Sequence, residues 1–227
     1  MLIAAAVCPH PPLLVPEVAQ GAAGELDTVR AACDRAVAGL LEAGADRIVV
    51  VGAGTATGWH GPEAGGDLTA YGVGVRTGGV PTVLPLSLTL GRWLAERAGA
   101  TPDAYAEIAG DAGPQECREM GRRLAAQAPR VAALVMGDGS ARRDTTSPGY
   151  LDERARRYDT EVADALARAD TRALAGLAPE PARELLVAGR PAWQVLAEAA
   201  RGAGLRGELL AHEAPYGVGY FVASWSR

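Results

Sequence analysis

Residues 47–51, with the sequence RIVVV, are the clearest buried strand of the chain. A short, continuous apolar run of this kind is typical of a strand that is covered on both faces. A second such run, Leu2–Val7, ends in prolines. Between the two runs, Glu25–Ala43 has apolar residues at helical spacing and is followed by Gly44, a helix-stopping residue. Strand, helix and strand in this order predict a βαβ unit whose two strands are parallel.

The rest of the chain continues this alternation of strands and helices. Further strands are predicted at Val80–Leu86, Val131–Met136, Gly207–Ala211 and Val218–Trp225, the last two paired around a turn at 215–217. Further helices are predicted at Thr89–Ala98, Pro114–Ala128, Thr171–Ala175, Pro179–Val187 and Ala192–Ala203, and one more starts at Ser147-Pro148. We therefore predict a single α/β domain over residues 1–227, with three α/β/α layers and a mostly parallel central sheet.

Composition excludes several classes of function. The chain has 227 residues, of which 48% are hydrophobic and 22% are charged, as expected for a globular protein rather than a disordered one. Its formal net charge of −5 argues against a nucleic acid or an anionic membrane as a partner. All basic residues are Arg, so mechanisms that use a lysine nucleophile or a phosphate-binding lysine are excluded.

The cysteines and the N-terminus favour a cytoplasmic protein. Cys8, Cys33 and Cys117 are far apart and form no CxxC pair, which is typical of a reducing compartment. The apolar run before Cys8 is too short for a signal peptide and has no basic residues ahead of it. No apolar run approaches the ~20 residues that a membrane-spanning helix needs. We therefore expect a soluble, cytoplasmic protein with no membrane partner.

Candidate chemistry lies in the loops that follow the predicted strands, because open α/β sheets bind ligands at the carboxyl ends of their strands. Two of the three histidines, His10 and His60, fall in such loops. Two imidazoles with a carboxylate are the ligands of a non-haem Fe(II) site and of a catalytic zinc site. The alternative is that His10 is only a turn residue and His60 only a solvated one. The third ligand is open; Asp138, Glu213, Glu63 and Glu17 all lie in suitable loops.

Other motifs carry little weight. The glycine-rich stretch 52–58 is one residue too long for a dinucleotide fingerprint, and Trp59-His60 follows where a helix should begin. Ser140 lacks the GxSxG context of a hydrolase nucleophile. Arg142 and Arg143 could hold a substrate carboxylate, although a solvated basic pair is the simpler interpretation.

A larger pattern covers nearly the whole chain in order. Its parts are Pro9-His10-Pro11-Pro12, the loop at His60, Gly137-Asp138-Gly139-Ser140, Ser147-Pro148-Gly149-Tyr150 with Tyr158-Asp159, and the closing Gly217-Val218-Gly219-Tyr220-Phe221. In this the chain resembles the catalytic B subunit of class III extradiol ring-cleavage dioxygenases and the related Memo-like proteins. The resemblance implies an α/β domain with one Fe(II), two histidine ligands and a glutamate. It also implies a catechol substrate, dioxygen, and a nearby histidine as acid and base.

Carried over by position, His10 and His60 match the two histidine ligands. The acid/base histidine has no counterpart, because Ala141 occupies its place after the Asp138–Ser140 motif. In Memo-like relatives a cysteine precedes a Gly-Arg pair, and here Ala188 stands before Gly189-Arg190. Losing a positioned acid/base group typically lowers a rate by ~10²–10⁴-fold.

The resulting expectation is an extradiol dioxygenase-like protein that acts on a small catecholic or chelating aromatic molecule. His10 and His60, with Glu213 or Asp138, are expected to bind Fe(II), with zinc as the alternative. The predicted catalytic and substrate-binding residues are Asp138, Ser140, Trp59, Tyr216 and His212. Two alternatives stay open: a degenerate family member that binds metal or serves in assembly, and a metal-dependent hydrolase. A homo-oligomer or a small partner subunit is also expected. All of this requires the two imidazoles to meet over one edge of the sheet.

Overall fold

The computed structural model describes residues 1–227. Its strands are β1 (Leu2–Cys8), β2 (Arg47–Gly54), β3 (Gly58–His60), β4 (Gly66–Asp67), β5 (Arg76–Thr77), β6 (Ala104–Ala109), β7 (Val131–Met136), β8 (Arg206–Glu213) and β9 (Tyr220–Ser226). Its helices are α1 (Pro16–Ala19), α2 (Asp27–Glu42), α3 (Leu86–Arg97), α4 (Pro114–Ala125), α5 (Arg154–Ala167), α6 (Thr171–Ala175), α7 (Pro179–Glu184) and α8 (Arg190–Ala199). Short 3-10 turns lie at Pro12–Leu14, Gln20–Leu26 and Thr69–Tyr71. None of the helices combines the length and the apolar character needed to cross a bilayer.

Seven strands form one mixed sheet in the order β3-β6-β2-β7-β1-β9-β8, and β4 and β5 form a separate two-stranded sheet. The four central strands, β6, β2, β7 and β1, are parallel. The outer strands β3, β9 and β8 are antiparallel to their neighbours. The predicted α/β fold with a mostly parallel centre is confirmed.

Helices cover both faces of the sheet, and each face has its own hydrophobic core. Helices α2 and α3 pack on one face, which we call the α2/α3 face. Helices α4, α5 and α8 pack on the other, which we call the α4/α8 face. Alternate residues of each strand point to opposite faces, so every central strand contributes to both cores. The protein therefore has the three predicted layers.

The first predicted βαβ unit is present, with one difference. β1, α2 and β2 lie where the apolar runs predicted them, and the two strands have the same direction. They are not neighbours, however, because β7 lies between them and pairs with both. Apolar runs show that a strand is buried, but they do not state which strand lies beside it.

The predicted strand Val80–Leu86 is wrong. Residues 80–85 are irregular, Val80 and Val83 are 79% and 47% exposed, and Leu86 begins α3. Pro81 and Pro85 have no backbone N–H to donate to a neighbouring strand, which removes this segment from the sheet. Strands β3, β4, β5 and β6, which lie on either side of this segment, were not predicted.

The predicted start of the helix at Ser147-Pro148 is also wrong. Helix α5 begins at Arg154, seven positions after Ser147. The Ser147 hydroxyl does not cap the helix; it donates to the Gly217 carbonyl at 2.9 Å. Tyr150 has φ +60°, a left-handed conformation that interrupts any helix at this point. Residues 147–153 therefore belong to a loop that contacts the turn between β8 and β9.

Candidate functional site

The carboxyl ends of β1 and β7 form the natural ligand crevice of this fold. The two strands are parallel neighbours. The chain after β1 leads to α2 on one face of the sheet, and the chain after β7 leads to α5 on the other. Loops that leave neighbouring strands for opposite faces open a crevice between them, and ligands of open α/β sheets bind in such crevices. His10 and Asp138 follow these two strands directly.

His10 and Asp138 form a buried pair. The backbone N–H of His10 donates to Asp138 Oδ1 at 2.7 Å, and the His10 Nδ1 atom lies 3.7 Å from the same oxygen. His10 is only 9% exposed, and Nδ1 is buried without a hydrogen-bond partner. Burial raises the pKa of the Asp138 carboxyl, although the His10 imidazole and backbone N–H oppose that rise. The Asp138 carboxylate therefore holds the backbone of His10 at this edge, and the imidazole ring lies beside it without a hydrogen bond.

His60 forms a second pair, with Glu107. The His60 Nε2 and Glu107 Oε2 atoms are 2.9 Å apart. The other carboxylate oxygen of Glu107 accepts the backbone N–H groups of Thr55 and Ala56, at 2.9 and 3.1 Å. Glu107 therefore both fixes the imidazole and anchors the loop after β2. Sequence reasoning missed Glu107 because β6 was not predicted; a lone glutamate within the apolar run AYAEIA was the available signal.

The two histidine–carboxylate pairs occupy the same face of the sheet. His60 lies opposite Tyr105, whose side chain belongs to the core of the α2/α3 face. A Cβ atom at Gly54 would overlap the Glu107 carboxylate, so this group lies directly over β2. Strand β2 neighbours β7, which leads into Asp138. One strand spacing of about 5 Å therefore separates the strand beneath Glu107 from the strand that leads to Asp138.

The two pairs form a row of polar residues across the sheet, and on the side of β1 this row continues to Glu213 on β8. Glu213 on β8 lies opposite Tyr220 on β9, and β9 is the neighbour of β1. Tyr220 belongs to the core of the α2/α3 face, and the nearby Asp138 carboxylate contributes to raising the pKa of its hydroxyl, after burial. Residues directly opposite each other in an antiparallel pair project to the same face. Glu213 therefore lies on the same face as His10, two strands away.

His212 lies on the opposite face, contrary to its predicted place beside the substrate. Its ring packs on Phe221, with 4.8 Å between the ring centroids, and Phe221 belongs to the core of the α4/α8 face. The Nε2 atom is 3.3 Å from the Arg143 Nη1 atom, and the same Nη1 donates to Asp159 at 2.8 Å. Arginine only donates, so His212 Nε2 is an acceptor and the ring is neutral. Burial, followed by the Arg143 charge, lowers the pKa of His212.

Ser140 has a structural position rather than that of a nucleophile. It is fully buried, and its hydroxyl donates to the Leu185 carbonyl at 2.7 Å and accepts the backbone N–H of Arg142 at 3.1 Å. Its backbone N–H donates to Asp159 at 2.9 Å. These contacts hold the loop after β7, so that Asp138 and Ser140 serve opposite faces of the sheet.

The two aromatic residues predicted to line the pocket separate in the same way. Trp59 packs against the core of the α4/α8 face, with the Arg123 guanidinium carbon 5.6 Å from its ring centroid. Its neighbour His60 projects to the other face, because successive strand residues alternate. Tyr216 packs against the core of the α2/α3 face, on the side of His10. Only Tyr216 shares a face with the two histidine–carboxylate pairs.

The donor types at this edge suit a metal ion, but the donors are paired with one another. Two imidazoles and three carboxylates share the α2/α3 face, and the buried Nδ1 atom of His10 has no hydrogen-bond partner. These are the ligand types of a two-histidine, one-carboxylate site. No three His, Cys, Asp or Glu side chains are grouped closely enough to hold one ion. The side chains at this edge are therefore of the types that bind such a metal, but they are arranged as two separate pairs and not as one group of three.

Comparison with known proteins supports the fold and goes no further. No family model matches the chain. No curated protein matches it either. Among solved structures, the uncharacterized protein JW3007 from Escherichia coli K12 is similar over 99% of this chain and 100% of its own, with a TM-score of 0.58 and 16% sequence identity. At this identity the similarity concerns the arrangement of helices and strands along the whole chain.

Proposed function

We propose that this protein is an extradiol dioxygenase-like enzyme whose site is the row of histidines and carboxylates on the α2/α3 face. The observation that carries the proposal is that His10–Asp138 and His60–Glu107 lie at the carboxyl edge, on one face, on neighbouring parts of the sheet. The substrate would be a small catecholic or otherwise chelating aromatic molecule. The resemblance to the dioxygenase B subunits supplies the reaction class.

His10 and His60 would hold a divalent ion, Fe(II) or alternatively zinc, together with a carboxylate from Asp138 or Glu213. When bound, Fe(II) would supply Lewis-acid and redox chemistry toward the paired oxygens of the substrate, whereas zinc would supply Lewis-acid chemistry alone. Asp138 holds the backbone N–H of His10, and Glu107 orients the His60 ring through its 2.9 Å contact. Where Glu213 supplies the carboxylate ligand, the largely buried carboxylate of Asp138 would be free to accept a proton from a substrate hydroxyl.

Metal binding tests the proposal. The protein is loaded with Fe(II) under anaerobic conditions, desalted and measured for metal per chain, followed by oxygen uptake with catechols. We expect His10→Ala and His60→Ala to lose the metal, whereas His212→Ala retains it because that histidine lies on the other face. Equal metal content in the wild type and the two site variants would overturn the proposal.

A second candidate is a small-molecule-binding protein that has lost oxygenase chemistry. Two observations favour it: Ala141 at the position of the acid/base histidine, and the absence of three grouped metal donors. Calorimetry with catechol on the metal-free protein separates the two, because this candidate binds catechol without metal and consumes no oxygen. Metal-dependent turnover without dioxygen would instead indicate a hydrolase.

We also propose that the protein acts in a reducing compartment such as the cytoplasm. All three cysteines are buried and free. Buried thiols without partners are typical of proteins that meet no oxidising environment. A second copy of the chain or a small partner subunit, which the resemblance implies, stays a prediction.

A further inference from the structure

A cavity lies on the α4/α8 face of the sheet, on the opposite side from the row of histidines and carboxylates. It has a volume of about 460 Å³, and its walls include Gly110 and Asp111 after β6, Glu180 and Arg183 of α7, Val187, and Arg190 at the start of α8. Volumes of about 300–1,000 Å³ are usual for small-molecule sites. The cavity is thus large enough for a small organic molecule, and the sheet separates it from His10.

Arg190 distinguishes this cavity from a simple surface depression. It is 3% exposed, and its three hydrogen bonds go to uncharged acceptors: the Ala112 carbonyl at 2.7 Å, Gln194 Oε1 at 2.9 Å and the Gly110 carbonyl at 3.3 Å. A guanidinium stays charged in a protein, and a buried charge without a counter-charge is costly. The structure therefore places an uncompensated positive charge in the wall of a cavity.

The other buried arginines do not share this situation. Arg30 is 6% exposed and pairs with Asp27 at 2.7 Å. Arg92 is 7% exposed and pairs with Glu96 at 2.8 Å. The fold elsewhere supplies a carboxylate to each buried guanidinium. Arg190 has no carboxylate within 4.0 Å, and its side chain lines the cavity instead.

The remaining charges at the cavity leave this one uncompensated. Glu180 and Arg183 are exposed members of α7, with their charged atoms 3.9 Å apart, so they largely neutralise each other. Asp111 is exposed at the rim, where water screens its charge. Helix α8 has ten residues and directs its positive N-terminal end to the same wall. The inner wall is consequently positive.

We propose that this cavity binds a small organic anion whose carboxylate or phosphate oxygens accept from Arg190. Guanidinium groups bind such oxygens through charge-assisted hydrogen bonds, often two at once. Val187 and Ala182 provide apolar surface for the body of the ligand. The anion would neutralise the charge of Arg190, as Asp27 and Glu96 neutralise the charges of Arg30 and Arg92.

Calorimetry and amide NMR with three probes test this proposal: inorganic phosphate, benzoate, and benzamide as the uncharged analogue of benzoate. We expect benzoate or phosphate to bind at millimolar concentration and to shift the amide signals of Gly110 and Val187. Comparison of the two anions shows which group the site prefers. Benzamide is expected to bind at least about tenfold more weakly, because it offers no negative oxygen to Arg190.

Variants locate the binding. Arg190→Gln should weaken benzoate or phosphate at least about tenfold, whereas Arg157→Gln, an exposed arginine on α5, should leave it unchanged. If Arg190→Gln fails to fold, the affinity of Glu180→Gln for benzoate or phosphate is measured instead. Removing this exposed negative charge from the rim should tighten anion binding in low salt. The proposal fails if neither anion binds, if benzamide binds as well as benzoate, or if His10→Ala abolishes the binding.

Discussion

Two residues show how the role of a residue depends on its neighbours: Gly54, which has no side chain, and His212, which lies on the face opposite the site and is held neutral. At Gly54 the missing Cβ leaves room for the Glu107 carboxylate over β2, where it meets His60. At His212 the Arg143 guanidinium donates to the imidazole and shares its charge with Asp159. Neither role is visible in the identity of the residue alone. Each follows from what lies next to it.

Gly54→Ala should disturb the His60–Glu107 pair. The added methyl group would overlap the carboxylate, so either Glu107 or the strand has to shift, and overpacking of this kind typically costs about 1–3 kcal/mol. Urea unfolding measures the loss. Gly58→Ala is the matched control, because nothing lies within 4 Å of a Cβ atom at that position. Equal stability of the two variants would contradict the described position of Glu107.

His212 should make the stability of the protein depend on pH. Its pKa in the folded state is lowered below 6.5, mainly by burial, so the unfolded chain binds a proton more readily than the folded chain does. Stability is then lost as the pH falls below about 6.5 toward the lowered folded pKa. The buried Asp159 has a raised pKa and acts in the opposite direction, gaining stability as it is protonated.

We expect His212→Asn to lose less stability than the wild type between pH 7 and pH 5, since asparagine can still accept from Arg143 without titrating. Unfolding free energies across this range provide the measurement. Parallel pH profiles for the two proteins would show that His212 does not contribute.

At the scale of elements, helices α4 and α8 pack closely against each other on the α4/α8 face. Gly121 of α4 faces α8, and a Cβ atom there would lie 2.6 Å from the Val195 carbonyl oxygen. The absence of a side chain therefore sets how closely the two helices approach. Since α8 carries Arg190, the same contact also positions the wall of the cavity that Arg190 lines.

Two helix glycines should respond in opposite ways to alanine. Gly121→Ala should destabilise by about 1–3 kcal/mol, because the methyl group meets the backbone of α8. Gly39→Ala in α2 should stabilise by up to about 1 kcal/mol, since its nearest neighbour is the Ser224 hydroxyl at 3.8 Å and alanine favours the helix. The free energy of unfolding of both variants, measured by chemical denaturation, distinguishes the effect of helix packing at Gly121 from the effect of helix propensity at Gly39. A stabilising Gly121→Ala would exclude close packing at Gly121.

At the scale of the whole molecule, one sheet supports two cores. Alternate residues of β1, β2 and β7 belong to the core of one face or of the other. Trp225, for example, is buried on the α4/α8 face and its indole N–H donates to the Leu166 carbonyl at 2.8 Å. Trp93 packs on the α2/α3 face. Loss of the strands would remove both cores at once.

We therefore expect unfolding in guanidinium chloride to be a single transition. In Trp93→Phe the remaining tryptophans all lie on the α4/α8 face, so the fluorescence monitors that face alone. In Trp225→Phe the fluorescence no longer monitors the C-terminal strand. Each variant should show the same midpoint by fluorescence as by far-UV circular dichroism. Separate midpoints within one variant would show that the two faces unfold independently.

The sequence by itself determined the elements whose burial is uniform or periodic. Continuous apolar runs predicted β1, β2 and β7, and helical periodicity predicted α2, because each pattern states how one segment meets the core. His10 was also predicted, as a polar residue in a loop at a strand end. His60 was predicted in the loop after β2, but it lies on the short strand β3. The strand β6 was not predicted because Glu107 interrupts its apolar run. The segment Val80–Leu86 was predicted as a strand because valine favours strands, although its two prolines disfavour them.

Only the tertiary structure decided which side chains meet. It placed β7 between β1 and β2, it put His212 on the face opposite His10, and it supplied Glu107 as the partner of His60. It also left Arg190 buried beside a cavity without a carboxylate. Burial is a property of one segment and its periodicity. Pairing depends on strand order and register, which join residues that are far apart in the chain and which no local pattern encodes.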